Sequence, residues 1–306
     1  MTRMLRFATL AAGALALLLA APSGAQPQDF SGVEIQTVPV ADGIHMLTGR
    51  GGNIAVFTGA DGIVLVDDQY APLHAKIVAA VAKLQAGPVR FVLNTHWHGD
   101  HTGGNEALGQ AGALIVAHDN VRERMRVDQF MKAFDRHVPA SPPAALPVVT
   151  FGFDTTLHWN GEAIHVLHVP AAHTDGDAAV HFRRANVLHM GDTFFAGRYP
   201  FIDLDSGGSL LGLVKGVEYL LTLADAETKI IPGHGPLSDR KGLEAYRDVL
   251  VAAQTRVSKL IADGRTLEEV VAAKPLAEFD AEWGSGFITP EGFLKIVYTS
   301  LLATGG

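Results

Sequence analysis

A chain of 306 residues suits one large domain or two small ones, and a 48% hydrophobic share places it among folded proteins rather than disordered or fibrous ones. It has no cysteine, which excludes disulfide stapling, a thiolate metal ligand and a thiol nucleophile. A formal charge of −8 argues against nucleic acid as substrate or partner, because phosphate contacts rest mainly on Lys and Arg.

At the N-terminus, Arg3 and Arg6 precede an uncharged apolar run from Phe7 to Ala21, followed by the small residues of Pro22-Ser23-Gly24-Ala25. This is the pattern of a cleaved secretory signal over residues 1–25, and it places the mature protein in a periplasm or outside the cell. The apolar run of about 15 residues falls short of the ~20 that a spanning helix needs, so no membrane association is expected after cleavage. Loss of the two arginines takes the charge from −8 to −10.

The mature chain opens with short β-type runs at Val33 to Val40, Ile44 to Leu47, Asn53 to Phe57 and Ile63 to Val66. Gly49-Arg50-Gly51-Gly52 and Gly59-Ala60-Asp61-Gly62 fit hairpin loops, the first read as a mobile flap because no helix follows it as a phosphate loop would require. Asp67-Asp68 closes the last of these strands, either as a site acid at a strand's carboxyl end or as a solvated turn. From Pro72 a helix is expected, with Leu73, Ile77, Val81 and Leu84 on one face and Gly87-Pro88 ending it. Arg90 to Leu93 returns as a strand, Gly103-Gly104-Asn105 starts a helix, Ala113 to Val116 is a strand and Asn120 to Phe134 reads as helical. The prolines between His137 and Pro147 mark a connector over the site mouth.

A second cycle of strands follows at Val148 to Phe151, Thr155 to Trp159, Ala163 to His168, Ala178 to Phe182 and Asn186 to His189. A helix over Leu210 to Leu223 and a strand at Lys229 to Ile231 complete it. Two such halves would pack sheet on sheet with helices outside. Beyond Gly242 the chain is helical, with Gly264 stopping one helix and Thr289-Pro290 opening the last.

The chemistry concentrates in Thr95-His96-Trp97-His98-Gly99-Asp100-His101, directly after the strand end Val92-Leu93-Asn94. Imidazole and carboxylate are the ligand set of zinc and its divalent neighbours, and four such groups so close together suggest two metals. His173 in Ala172-His173-Thr174, Asp192 in Gly191-Asp192-Thr193 and His234 in Gly233-His234-Gly235 share the same context of strand end and glycine turn. Singly, each suits a structural turn; behind the His-x-His-x-Asp-His run they form one pattern. His45, His74, His118, His137, His158, His165, His168, His181 and His189 lack a ligand partner at useful spacing and read as surface or core histidines.

With these motifs the chain, from about Val33 to Gly235, resembles the metallo-β-lactamase superfamily. The resemblance implies an α/β (α+β type) fold, a four-layer αββα sandwich. Residues 26–306 would form a single domain, with a catalytic core over about 33–240 and extra C-terminal helices over 241–306. It further implies that His96, His98 and His173 hold one metal, that Asp100, His101 and His234 hold another, and that Asp192 bridges them. Asp67 matches the acid that braces the ligand loop, while Gln69 stands where a glycine often does. A bridging aspartate, in place of the cysteine of true β-lactamases, resembles the wider branch of thioesterases, lactonases, phosphodiesterases and dioxygenases. Phe195 occupies the place of a carboxylate-gripping lysine of some lactamases, with Arg198 the nearest replacement. The basic glutathione-binding stretch of glyoxalase II is not evident after Asp192.

The expected function is an exported hydrolase with two zinc ions, iron or manganese also fitting, that attacks a small-molecule carbonyl (ester, lactone, thioester or amide, β-lactams included). A metal-bridging hydroxide is the nucleophile, with Asp100 orienting it. Tyr70, Trp97, Phe195, Arg198 and Tyr199, with Phe194 and Phe201, either line the substrate pocket or pack beneath the loops. A mononuclear iron persulfide dioxygenase and a non-catalytic periplasmic metal-binding protein are the alternatives. Open coordination positions favour the enzyme, since structural zinc sites are closed by four protein ligands. Substrate and oligomeric state are not encoded legibly.

Overall fold

The computed structural model describes residues 29–303, so the expected signal segment lies outside the described residues. In chain order the first half runs β1 (Gln36–Ala41), β2 (Ile44–Thr48), β3 (Ile54–Phe57), β4 (Ile63–Val66), α1 (His74–Leu84) and β5 (Val89–Leu93). It continues with α2 (Gly99–Thr102), α3 (Asn105–Gln110), β6 (Leu114–His118), α4 (Asp119–Met125), β7 (Gln129–Met131), β8 (Arg136–Val138) and β9 (Val149–Phe151). The second half holds β10 (Asp154–Trp159), β11 (Glu162–His168), β12 (Ala178–Phe182), β13 (Val187–His189), α5 (Leu210–Leu221), β14 (Lys229–Ile231) and β15 (Ser238–Asp239). Four helices close the chain: α6 (Arg240–Ala262), α7 (Leu267–Ala273), α8 (Asp280–Trp283) and α9 (Pro290–Ala303).

One sheet has the order β1-β2-β3-β4-β5-β6-β9 and the other β10-β11-β12-β13-β14-β15. β4 shows why they stack. Its four residues are all buried, Val64 and Val66 facing the other sheet and Ile63 and Leu65 facing the helical layer. Between the sheets, Ile44, Met46, Ala55 and Leu93 meet Ile164, Val166, Val180 and Phe182. Outside the first sheet, Ile77 and Val81 of α1 pack on Val56, Leu65 and Val92. Outside the second, Leu213 and Val217 of α5, Leu250 and Val257 of α6 and Phe293 and Val297 of α9 share a core with Leu188 and Ile230. The layers are therefore helix, sheet, sheet, helix, as the two-cycle pattern implies. Among the described residues no helix is long and apolar enough to cross a membrane.

The sequence misleads at 120–134. Where a single helix is expected, α4 stops at Met125, and β7 and β8 form a separate two-stranded hairpin joined by a 3-10 turn over Lys132–Phe134. The hairpin tip turns at Asp135, whose φ of 46° is left-handed. The proline connector after it carries a 3-10 turn at Pro143–Ala145.

Candidate metal centre

Both sheets end their strands at the same edge, and that edge carries the seven candidate ligands. Leu93 ends β5 in a parallel pair with Val66 of β4, so Asp67 stands beside Thr95. The carboxylate of Asp67 accepts from the Thr95 amide (2.8 Å), the Thr95 hydroxyl (2.7 Å) and His101 Nδ1 (2.7 Å). The solvated-turn reading of Asp67-Asp68 is thereby excluded, for both are buried. Asp68 accepts from the Gly104 amide, and its own N–H donates to the His101 carbonyl. Gln69, with φ 57°, keeps the left-handed geometry of a glycine there and accepts from the Gly103 amide. The ligand loop is thus held along its backbone by residues 67–69.

His96 and His98 leave the extended segment before α2, and Asp100 and His101 lie in its first turn. His96 Nε2 lies 3.2 Å from His98 Nδ1, and His173 Nε2 lies 3.0 Å from the same atom. The opposite ring atoms are engaged. His96 Nδ1 meets the Thr95 hydroxyl at 3.0 Å, His98 Nε2 meets Asp203 Oδ2 at 2.9 Å, and His173 Nδ1 donates to the Phe201 carbonyl at 2.8 Å. Each outer contact turns one free ring nitrogen inward.

A second group forms alongside, with His234 Nε2 3.4 Å from His101 Nε2 and 3.4 Å from Asp100 Oδ2. Asp192 sits between the groups. Its Oδ1 is 3.1 Å from His101 Nε2 and 3.4 Å from His234 Nε2, while its Oδ2 is 3.6 Å from His173 Nε2 and 3.8 Å from His96 Nε2. Each group's ligand atoms lie within 4.8 Å of one another.

Burial pushes His96 far below the usual imidazole range and His173 down to about 4, so both present neutral lone pairs. His101 and His234 move the other way. Burial opposes it, but Asp192 and Asp100 raise His101 and bring His234 to about 9. Those histidines in turn hold Asp100 and Asp192 low despite burial. Asp192 Oδ1 is nevertheless buried without a well-formed hydrogen bond. Converging imidazole nitrogens, an orphaned carboxylate oxygen and no sulfur ligand fit a hard-to-borderline divalent cation.

A model of the metallo-beta-lactamase superfamily matches residues 47–256, more than half of the chain. The chain belongs to the metallo-β-lactamase superfamily. Among curated proteins it is 31% identical over 181 residues to a hydroxyacylglutathione hydrolase of Nitrosococcus oceani, covering 58% of this chain and 60% of that one. It is 24% identical to the alpha subunit of a 2,4-dinitroanisole O-demethylase of Nocardioides sp., covering 53% and 47%. The chain therefore spans at most about 60% of the length of these two relatives. Among solved structures, a metallo-beta-lactamase from Pontibacter korlensis superposes with a TM-score of 0.59 at 19% identity, covering 71% of this chain and 99% of that one. An inverting sec-alkylsulfatase from Pseudomonas sp. superposes with 0.63 at 18%, covering 87% and 50%. At such identities the two structures speak for the fold alone. The family match runs past Gly235 into α6, so the resemblance reaches further than the motifs that revealed it.

In this member of the superfamily, Asp100, His98, Asp192 and His234 form part of the wall of a cavity of about 590 Å³, within the ~300–1,000 Å³ usual for small-molecule sites. Tyr70, Trp97, Phe195, Arg198, Tyr199 and Phe201 also line it. Their contributions differ. Phe195 stacks on His234 (5.2 Å, 18°). Tyr199 contributes only its ring, since its hydroxyl donates to Asp280 at 2.8 Å, and burial with that carboxylate raises its pKa. Tyr70 is raised to about 12 by burial and then by Asp100. Phe194 is in the core against Tyr246 and does not face the cavity.

Sequence reasoning missed Asp203, which no motif marks, and the cavity's other side. Met131, Phe134, Arg136 and Val138 come from the β7–β8 hairpin, and Phe287 and Ile288 from the loop before α9. Phe134 bridges the two, 4.9 Å from Phe201 and 5.5 Å from Phe287. Arg50 was in view, in the glycine loop after β2, but without a role. That loop is not free: Gly52 N–H donates to the Asp100 carbonyl and Asn53 N–H to the Gly233 carbonyl.

Proposed function

We propose that the protein is a metal-dependent hydrolase that uses two zinc ions to cleave a carbonyl–heteroatom bond of a small molecule in an exported compartment. The observation that carries this reading is the placement of Asp192 between the His96/His98/His173 group and the Asp100/His101/His234 group, one carboxylate oxygen toward each. Bound zinc would supply Lewis acidity and lower the pKa of water from 15.7 toward about 7.

The chain's own residues do the rest. His96, His98 and His173 would hold one ion through Nε2, Nδ1 and Nε2 respectively, and His101 and His234, through their Nε2 atoms, with Asp100 would hold the other. Asp203, Thr95, Asp67 and the Phe201 carbonyl fix the ring tautomers. Asp100 is half-buried and faces the cavity, so its carboxylate can orient a water there by accepting a hydrogen bond from it. The aromatic walls restrict bulk water around the scissile bond. Thioesters stand first among substrates, since the curated relatives are named for hydrolysing a hydroxyacylglutathione; esters, lactones and β-lactams follow. Export rests on the N-terminal sequence pattern alone.

The test is metal analysis of the purified protein together with a panel of thioesters, lactones, a chromogenic cephalosporin and a phosphodiester. Two zinc ions per chain and turnover of one acyl class are expected. One iron per chain with oxygen uptake would refute the hydrolase in favour of a dioxygenase. Bound metal with no turnover of any class would leave a metal-binding protein.

A further inference from the structure

The cavity mouth carries a charge pattern that the metal chemistry does not use. Arg50 from the loop after β2, Arg136 from β8 and Arg198 from the segment after Asp192 converge on one cavity from three separate parts of the chain. The only acids lining it are Asp100 and Asp192, and both face the histidines of the metal centre. Of the other described arginines, Arg90, Arg122, Arg183 and Arg184 make no ion pair, while Arg124, Arg126, Arg240, Arg247, Arg256 and Arg265 each pair with a carboxylate. Among the described residues, none lies within ion-pair distance of Arg50, Arg136 or Arg198. Arg50 rests its guanidinium over the Phe30 ring at 5.8 Å, an arrangement that leaves its N–H groups free to donate. In a chain of net charge −8, three guanidinium groups without a carboxylate in contact line one opening.

Away from the histidines, most of the remaining lining is apolar. Met131, Phe134, Val138, Phe287 and Ile288 face Trp97 and Phe201 across the same space. Phe287 is 75% exposed and Phe134 38%, although both lie at the opening, so each leaves apolar surface for a ligand to cover.

We infer that the substrate is an amphipathic acid, an acyl compound whose apolar or aromatic body packs under Phe134 and Phe287 and whose anionic group, carboxylate or sulfonate, is bound by Arg50, Arg136 and Arg198. This specifies the substrate class of the hydrolase proposed above and rests on that reading. The arginines hold the anion at the mouth and so fix which end of the substrate reaches the metal centre. Planar guanidinium groups suit this because they bind an oxyanion through paired N–H donors and stack on neighbouring rings.

The experiment uses the zinc-loaded full-length protein and two thioesters of one skeleton, S-phenylacetyl thioglycolate and its uncharged methyl ester. The anionic member is expected to be preferred at least tenfold in kcat/KM, since the methyl ester loses the charge-assisted hydrogen bonds to the arginines. In an Arg136→Gln/Arg198→Gln double variant the preference should collapse toward unity, partly recover with lysine at both positions, and persist in Arg183→Gln on the distant β12–β13 turn. Equal kcat/KM for the two thioesters in the unmodified protein, or a preference unchanged in the double variant, would overturn the inference. A second measurement separates this from the hydrolase reading: calorimetric binding of 4-phenylbutane-1-sulfonate against 4-phenylbutan-1-ol. If neither thioester is cleaved but the sulfonate binds at least tenfold more tightly, and loses that margin in the double variant, the hydrolase reading fails while the arginine site stands. Equal binding of sulfonate and alcohol overturns the arginine site whatever is hydrolysed.

Discussion

Asp203 gives the sharpest test of how the metal centre is held. Its side chain is 4% exposed; Oδ2 accepts from His98 Nε2 at 2.9 Å and Oδ1 from the Ser206 amide at 3.1 Å. Burial alone would raise its pKa, but the hydrogen bond and charge of His98 outweigh burial and hold it at about 2. His98 turns Nδ1, the less usual ring atom, toward His96 and His173, so its proton must sit on Nε2, and Asp203 is what keeps it there. Asp203→Ala leaves a buried N–H without a partner, at a cost of about 1–3 kcal/mol, and frees the ring to rotate. Loss of such an outer partner weakens metal binding by about 10–100-fold. Asp203→Asn keeps the shape and one neutral acceptor, and should fall nearer the lower figure. The assay is competitive zinc titration against a chromophoric chelator, fitted to two sites. One site should weaken while the other moves by less than twofold, and Asp205→Ala, which removes only an exposed pair with Lys132, should move neither. Wild-type affinity at both sites in a folded Asp203→Ala protein would refute the assignment of His98 Nδ1 as a ligand and the tautomer argument with it.

Gly52→Ala should lower bound metal from two ions toward one: a Cβ there falls on the His101 ring, and the backbone cannot retreat because its amide is bonded to Asp100. Full metal content in that variant would contradict the packing. Gln69→Gly should raise stability by about 1 kcal/mol, near 2–4 °C in Tm, because a left-handed residue with a buried, unpartnered amide is replaced by one that prefers that backbone. A lower Tm would mean that the lost packing outweighs both gains. His168 stacks on His118 at 3.7 Å, and burial, with the charge of His118, depresses its pKa below 6.5. Its contribution to stability is therefore present above about pH 6.5 and lost as pH falls through its folded pKa, where the unfolded chain takes up the proton first. His168→Phe should make the fall in Tm between pH 7 and pH 5 shallower; an unchanged slope would remove His168 as a contributor.

The candidate ligands were legible because metal chemistry admits few side chains and the fold delivers them at strand ends, so His96, His98, Asp100, His101, His173, Asp192 and His234 each stand in a recognisable local context. The four layers were legible for a related reason. Strands such as Ile63–Val66, apolar on both faces, have to be covered on both faces. What the sequence concealed depends on distance along the chain. Asp203 is 105 residues from the imidazole it orients, and nothing local distinguishes it from Asp205. The β7–β8 hairpin reads as a continuation of α4, because its alternation spans only three residues per strand.

Sequence alone thus determined the family, the seven candidate ligands and the layered architecture, since each follows from residue type and short-range spacing. Tertiary structure decided which ring nitrogen each histidine turns inward, that Asp67 braces rather than solvates, and that Arg50, Arg136 and Arg198 meet at one opening. Apart from the His96 contact with its neighbour Thr95, those are relations between side chains on different segments, fixed by how the sheets and loops pack, and no local pattern encodes them.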